Sequence, residues 1–131
     1  MQVVNVRADS LFQAVADETR LRIVRLMATT GEEACLCELV DSLKAPDYKL
    51  SRHLKILRQA GLLSAHREGR WVYHRLVQEP LHIQKLLATV LALPDAGKAF
   101  RSDLACFKAR LRLREDGRCQ GTSEDAMVRA S

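Results

Sequence analysis

Apolar residues recur at helical spacing along most of the chain and change to a strand-like pattern in one stretch only. Leu11, Phe12 and Val15 follow Ser10, a residue suited to cap a first helix. Asp17 is expected to cap a second, where Leu21, Val24, Leu26 and Met27 recur three or four apart and Gly31 suits the end. A short helix is expected over residues 37–43, stopping before Ala45-Pro46, because a residue preceding proline disfavours the helical region. Asp47 is expected to cap a fourth helix that runs to about Ala60. Within it Leu50, Leu54 and Leu57 fall within about 60° on a helical wheel, opposite Tyr48, Arg52, Lys55 and Gln59.

The pattern then changes. Residues 62–66 and 71–76 flank the turn signal Glu68-Gly69, and the second run is rich in aromatic and β-branched residues, which predicts a β-hairpin. Pro80 opens another helix through Leu93, and Pro94-Asp95 breaks it. A last helix carries Phe100, Leu104, Phe107 and Leu111 on one face. From Glu115 to Ser131 the pattern fades, so the expectation is a domain over 1–114 and a disordered tail over 115–131. The fold class is mainly α with a β-hairpin.

Composition changes this picture little. With 131 residues, 47% hydrophobic and 28% charged, the chain is one ordinary globular domain. No apolar run approaches the roughly 20 residues of a membrane helix, and the first residues lack a signal-peptide core. The expectation is a cytoplasmic protein with no membrane partner and reduced cysteines.

Charge changes it more. Eight basic residues lie between Lys44 and Arg75 against two acids, Asp47 and Glu68, while the whole chain carries only +5. A solvated basic face has the same composition, but here the charge falls on one helix and the hairpin after it. Short helix, turn and basic-faced helix make a helix-turn-helix, and the hairpin is its wing. Tyr48, Lys49, Ser51, Arg52, His53 and Lys55 are the candidate contacts to bases and phosphates in the major groove of double-stranded DNA. Arg67 and Arg70 astride the hairpin tip are candidates for phosphate or the minor groove.

Three segments resemble the ArsR/SmtB winged-helix repressors. Residues 12–24, Phe-Gln-Ala-Val-Ala-Asp-Glu-Thr-Arg-Leu-Arg-Ile-Val, resemble their helix junction. Residues 50–57, Leu-Ser-Arg-His-Leu-Lys-Ile-Leu, are similar to the recognition helix, and Glu68 to Leu76 to the wing. The resemblance implies a homodimer joined through the first and last helices. It also implies a repressor that leaves its operator when an inducer binds, and no enzymatic activity.

Cys35-Leu36-Cys37 is similar to the Cys-Val-Cys box of the arsenic-responsive members. Thiolates suit soft ions, so arsenite or antimonite is the expected inducer, with Cd, Pb or Zn, or a persulfide or oxidant, as alternatives on the same fold. Those members typically carry a third cysteine three positions after the second, where this chain has Val40. Cys106, expected to be accessible on the last helix, is the preferred third ligand; Cys119 in the expected tail, or no third ligand, are the alternatives. On one helix, residues two apart point about 200° apart, so gripping one ion with Cys35 and Cys37 is expected to unwind the start of the short helix. The last-helix site of the zinc-responsive members is disfavoured, because Asp103 has no helical His partner. A thiol oxidoreductase is disfavoured too, for want of a Cys-x-x-Cys in a βαβ unit.

Overall fold

A computed structural model describes residues 8–121. The first seven residues and the last ten of the expected tail lie outside the described residues. The elements run α1 (Ala8–Val15), α2 (Glu18–Thr30), β1 (Ala34–Cys35), α3 (Leu36–Leu43), α4 (Asp47–Gln59), β2 (Leu63–Glu68), β3 (Trp71–Leu76), α5 (Leu81–Ala92) and α6 (Ala99–Leu111). The order is that of a winged helix-turn-helix, with α3 and α4 as the two helices of the motif and β2–β3 as the wing.

Local chemistry explains most boundaries. Asp17 caps α2, its carboxylate accepting from the Arg20 backbone N–H at 3.0 Å. Gly31 closes α2 at φ +67, a left-handed conformation that costs glycine least. Pro46, not Asp47, is the cap residue of α4; Asp47 sits in the first turn, where its charge suits the helix dipole. α1 begins at Ala8, so Ser10 lies inside the helix instead of capping it. Between β2 and β3 the reversal is made by Gly69 (φ +59) and Arg70.

The core is built around α2, whose Ile23, Val24, Leu26 and Met27 are all buried. Leu39 and Leu43 of α3 and Leu50, Leu54 and Leu57 of α4 join them. The expected stripe of α4 is therefore its core face.

Three features depart from the sequence pattern. β1 makes the hairpin a three-stranded antiparallel sheet of order β1-β3-β2, pairing Ala34 with His74 and Cys35 with Tyr73. On α6 the buried residues are Asp103, Phe107 and Arg110, while Phe100, Leu104 and Leu111 are only partly covered. That helix turns ion-pairing side chains inward: Arg22 of α2 grips Asp103 with two hydrogen bonds at 2.8 and 2.7 Å, and Arg110 reaches Asp41 of α3 at 2.8 Å. Finally, residues 115–121 fold back against the sheet and α3, with Cys119 buried in a small cluster with Cys35 and Tyr73. Among the described residues no helix is long and apolar enough to cross a membrane.

Candidate thiol centre and nucleic-acid interface

Three cysteines from two distant parts of the chain converge. The Sγ atoms of Cys35 and Cys37 lie 3.2 Å apart, and those of Cys37 and Cys119 3.1 Å apart. All three sulfurs fall within 4.8 Å of one another; Cys35 and Cys119 are buried and Cys37 is half-buried.

The convergence of Cys35 and Cys37 needs no unwinding. Cys35 is not helical: it ends β1 and is the cap residue of α3, with φ −91 and ψ 162. Cys37 is in the first turn. The extended residue lets the two sulfurs meet with α3 intact, which removes the premise of an ion-driven unwinding. Glu38 steadies the junction by accepting from the Cys35 N–H at 3.1 Å.

Cys119 is held by what precedes it. After α6, Asp116 (φ +51) and Gly117 (φ +73) reverse the chain, and Glu115 bridges Arg118. Arg114 forks onto the Glu38 carboxylate at 2.6 and 2.7 Å and donates to the Glu33 carbonyl at 2.7 Å. Arg118 joins Glu33 (2.6 Å) to Glu68 of the wing (2.7 Å) and lies 4.8 Å above the Tyr73 ring. The Cys119 N–H donates to Tyr73 Oη at 2.8 Å.

This brings Cys119, not Cys106, to Cys35 and Cys37. Cys106 is half-buried on α6, one turn before Arg110, and is outside the group. The turn of α6 that faces the sulfurs presents Arg110, with Nη2 at 3.8 Å from Cys119 Sγ and 4.0 Å from Cys37 Sγ. One sequence signal that could have found Cys119 is the acidic run Glu32, Glu33 and Glu38, which matches Arg114 and Arg118 beside it.

The electrostatics favour one thiolate shared among three sulfurs. Hydrogen bonds from Cys35 and Cys37 push the Cys119 thiol far below its usual range. Donation to Cys119 pushes Cys37 up to about 11, and Cys35 up as well. A thiolate is the form that ligates a soft ion. A cavity of about 600 Å³ opens beside Cys35 and Cys37, walled by Leu54 and Arg58 of α4 and Trp71 and His74 of the wing.

A second cluster, Glu33, His66 and Glu68, also has its ligand atoms within 4.8 Å. Arg118 already pairs with both of its carboxylates, so this cluster serves as an anchor for the Cys119 loop.

The DNA-facing expectations fall on two surfaces. Tyr48 is 68% exposed, and Lys49, Ser51, Arg52 and Lys55 are exposed along the same outer side of α4. Arg67 and Arg70 are exposed on the wing, where the Arg70 guanidinium stacks 4.5 Å from the Trp71 ring. His53 differs. It is half-buried against the α1–α2 junction, its Nδ1 accepting from Arg20 Nη1 at 3.1 Å. Burial lowers its pKa, so it is a neutral bracing group. Arg58 ties α4 to the wing, donating to His74 Nε2 at 2.9 Å.

Comparison with known proteins agrees with this architecture. Residues 17–65 match the family model for the bacterial regulatory protein, arsR family, a span that runs from the α2 cap into β2. The chain is 38% identical over 109 residues to the arsenic resistance transcriptional regulator ArsR1 of Pseudomonas putida, covering 73% of this chain and 84% of the relative. It is 36% identical over 115 residues to the arsenical resistance operon repressor of Escherichia coli, covering 88% and 91%. It is 30% identical over 77 residues to a cadmium resistance transcriptional regulatory protein CadC homolog of Staphylococcus aureus, covering 59% and 61%. With a winged helix-turn-helix and close relatives of this kind, the chain belongs to the ArsR family of DNA-binding transcriptional repressors.

Proposed function

We propose that this repressor is released from its operator when arsenite or antimonite is bound by Cys35, Cys37 and Cys119. The observation that carries the reading is the meeting of three sulfurs within 4.8 Å, with the third supplied from beyond α6. A trivalent metalloid forms three bonds, so three thiolates satisfy it, whereas tetrahedral zinc would need a fourth ligand. The names of the P. putida and E. coli relatives support an arsenical signal.

The route to DNA is short. Cys35 is both the cap of α3 and the pairing partner of Tyr73 in the wing. Seating one ion among the three sulfurs shifts the helix that braces α4 and the strand that carries the wing. A shift of either by a fraction of a residue misaligns the two DNA-contacting surfaces.

The repressor acts as a homodimer in this reading. An apolar surface open to a second copy lies on α1 and α5, where Phe12 is 63% and Leu81 61% exposed. Two copies of α4 then read a two-fold symmetric operator.

A cadmium signal is the second reading, favoured by the CadC relative and by the same thiolates. The test is operator release, followed by fluorescence anisotropy, under arsenite, antimonite, cadmium and a persulfide donor. The reading requires release by arsenite or antimonite that is lost in Cys35→Ser, Cys37→Ser and Cys119→Ser and kept in Cys106→Ser. Release by cadmium alone selects the second reading, and release by the persulfide donor alone makes the centre a redox sensor.

A further inference from the structure

We propose that Arg110 is the counter-cation of the three-sulfur centre and biases it toward ions whose thiolate complex is negatively charged. The inference rests on Cys35, Cys37 and Cys119 being the ion-binding set.

Arg110 is 2% exposed at the end of α6. Its Nε donates to Asp41 at 2.8 Å, its Nη2 points at Cys119 Sγ and Cys37 Sγ, and its Nη1 has no hydrogen-bond partner among the described residues. Two other arginines that pair with buried carboxylates behave differently. Arg22 forks onto Asp103, and Arg114 onto Glu38, each giving two nitrogens to one carboxylate. Arg110 gives Asp41 one nitrogen and turns a second, Nη2, toward the two sulfurs. Leaving a buried guanidinium nitrogen unpaired is costly. The geometry is accounted for if Nη2 is aimed at the charge of the resting thiolate, which an anionic complex keeps and a neutral complex removes.

That charge depends on the ion. Arsenous acid, two thiols, the resting thiolate and one proton give a neutral trithiolate and three waters: As(OH)3 + 2 RSH + RS− + H+ → As(SR)3 + 3 H2O. A divalent cation keeps the charge and releases two protons: Cd2+ + 2 RSH + RS− → [Cd(SR)3]− + 2 H+. The fixed charges around the sulfurs already balance, Arg110 against Asp41 and Arg114 against Glu38. The anionic complex therefore places its excess charge on sulfurs that face Nη2. Hydrogen bonds to a charged acceptor are roughly twice as strong as neutral ones. Arg110 thus contributes more to cadmium binding than to arsenite binding, and is a specificity-determining residue of the centre.

The test is to titrate the full chain with arsenite and with cadmium, each against a competing chelator, and compare dissociation constants. The variants are Arg110→Met, Arg110→Lys, and Asp41→Asn with Arg110→Met, the last of which leaves no carboxylate stranded. Arg110→Met and the double variant are expected to lose cadmium affinity by about tenfold more than arsenite affinity. Arg110→Lys keeps the charge and is expected to stay closer to the wild type. An equal loss for both ions would show a packing role and overturn the proposal, as would no loss for either. If the wild type bound neither ion, the three-sulfur reading would fall as well; binding with an unshifted ratio removes the counter-cation role alone.

Discussion

Tyr73 holds the thiol centre from two directions: its backbone pairs with Cys35 across the sheet, and its Oη accepts the Cys119 N–H at 2.8 Å. The side chain is fully buried, between a strand of the wing and the loop that carries the third sulfur. Tyr73→Phe keeps the ring and removes the acceptor, leaving a buried N–H unpaired. The expected cost is about 1–3 kcal/mol, measured by urea unfolding, together with weaker arsenite-induced release. Unchanged release would show that the Cys119 loop is set without Tyr73.

Arg52 and Arg70 offer tests of two proposed kinds of DNA contact. If Arg52 reads a base from the exposed side of α4, Arg52→Ala should weaken specific binding by about 1–3 kcal/mol and leave random DNA nearly unaffected. If Arg70 contacts phosphate from the wing, Arg70→Ala should weaken both and reduce the salt slope by about one unit. Anisotropy titrations on operator and scrambled duplexes at several salt concentrations distinguish the two. His53→Ala should act through stability instead, because His53 braces Arg20.

Arg114 is the main clamp on the segment that carries Cys119. Glu38 is fully buried, and Arg114 supplies both of its ion-pair hydrogen bonds. Arg114→Met strands that carboxylate, at an expected cost of about 3–5 kcal/mol. Adding Glu38→Gln should recover a large part of it. A double-mutant cycle by denaturant unfolding checks the coupling.

Acid should weaken the fold through His74. It is 4% exposed, and burial together with the Arg58 charge lowers its pKa from 6.5 to about 4. The folded state therefore holds His74 neutral, while the unfolded chain takes up a proton below about pH 6.5. The stability tied to the neutral ring is present above pH 6.5 and is lost as pH falls toward 4, by up to about 3 kcal/mol. Unfolding free energies at pH 7 and pH 5 measure it, and His74→Gln should flatten that part of the profile.

Much of this was legible in local chemistry. Asp17 and Gly31 bound α2 because a carboxylate cap and a left-handed glycine are strong local signals. The leucines of α4 and the turn at Gly69 marked the recognition helix and wing for the same reason. What stayed hidden depends on partners far along the chain. β1 is two residues long and exists only because β3 lies beside it. The inner face of α6 is polar because its partners are Arg22 and Asp41, which no periodicity within α6 reveals. Cys119 meets Cys37 across 82 residues, brought there by arginine clamps on an acidic patch. Helical geometry favours Cys106, since a helix fixes which side chains share a face and a loop does not.

The central claim is that Cys35, Cys37 and Cys119 bind one metalloid ion together. X-ray absorption at the arsenic edge counts the sulfurs bound to arsenic in the arsenite-loaded protein. Three sulfurs are expected in the wild type and in Cys106→Ser, and two in Cys119→Ser. Three sulfurs retained in Cys119→Ser, or two in Cys106→Ser, would place the third thiolate elsewhere and contradict the account.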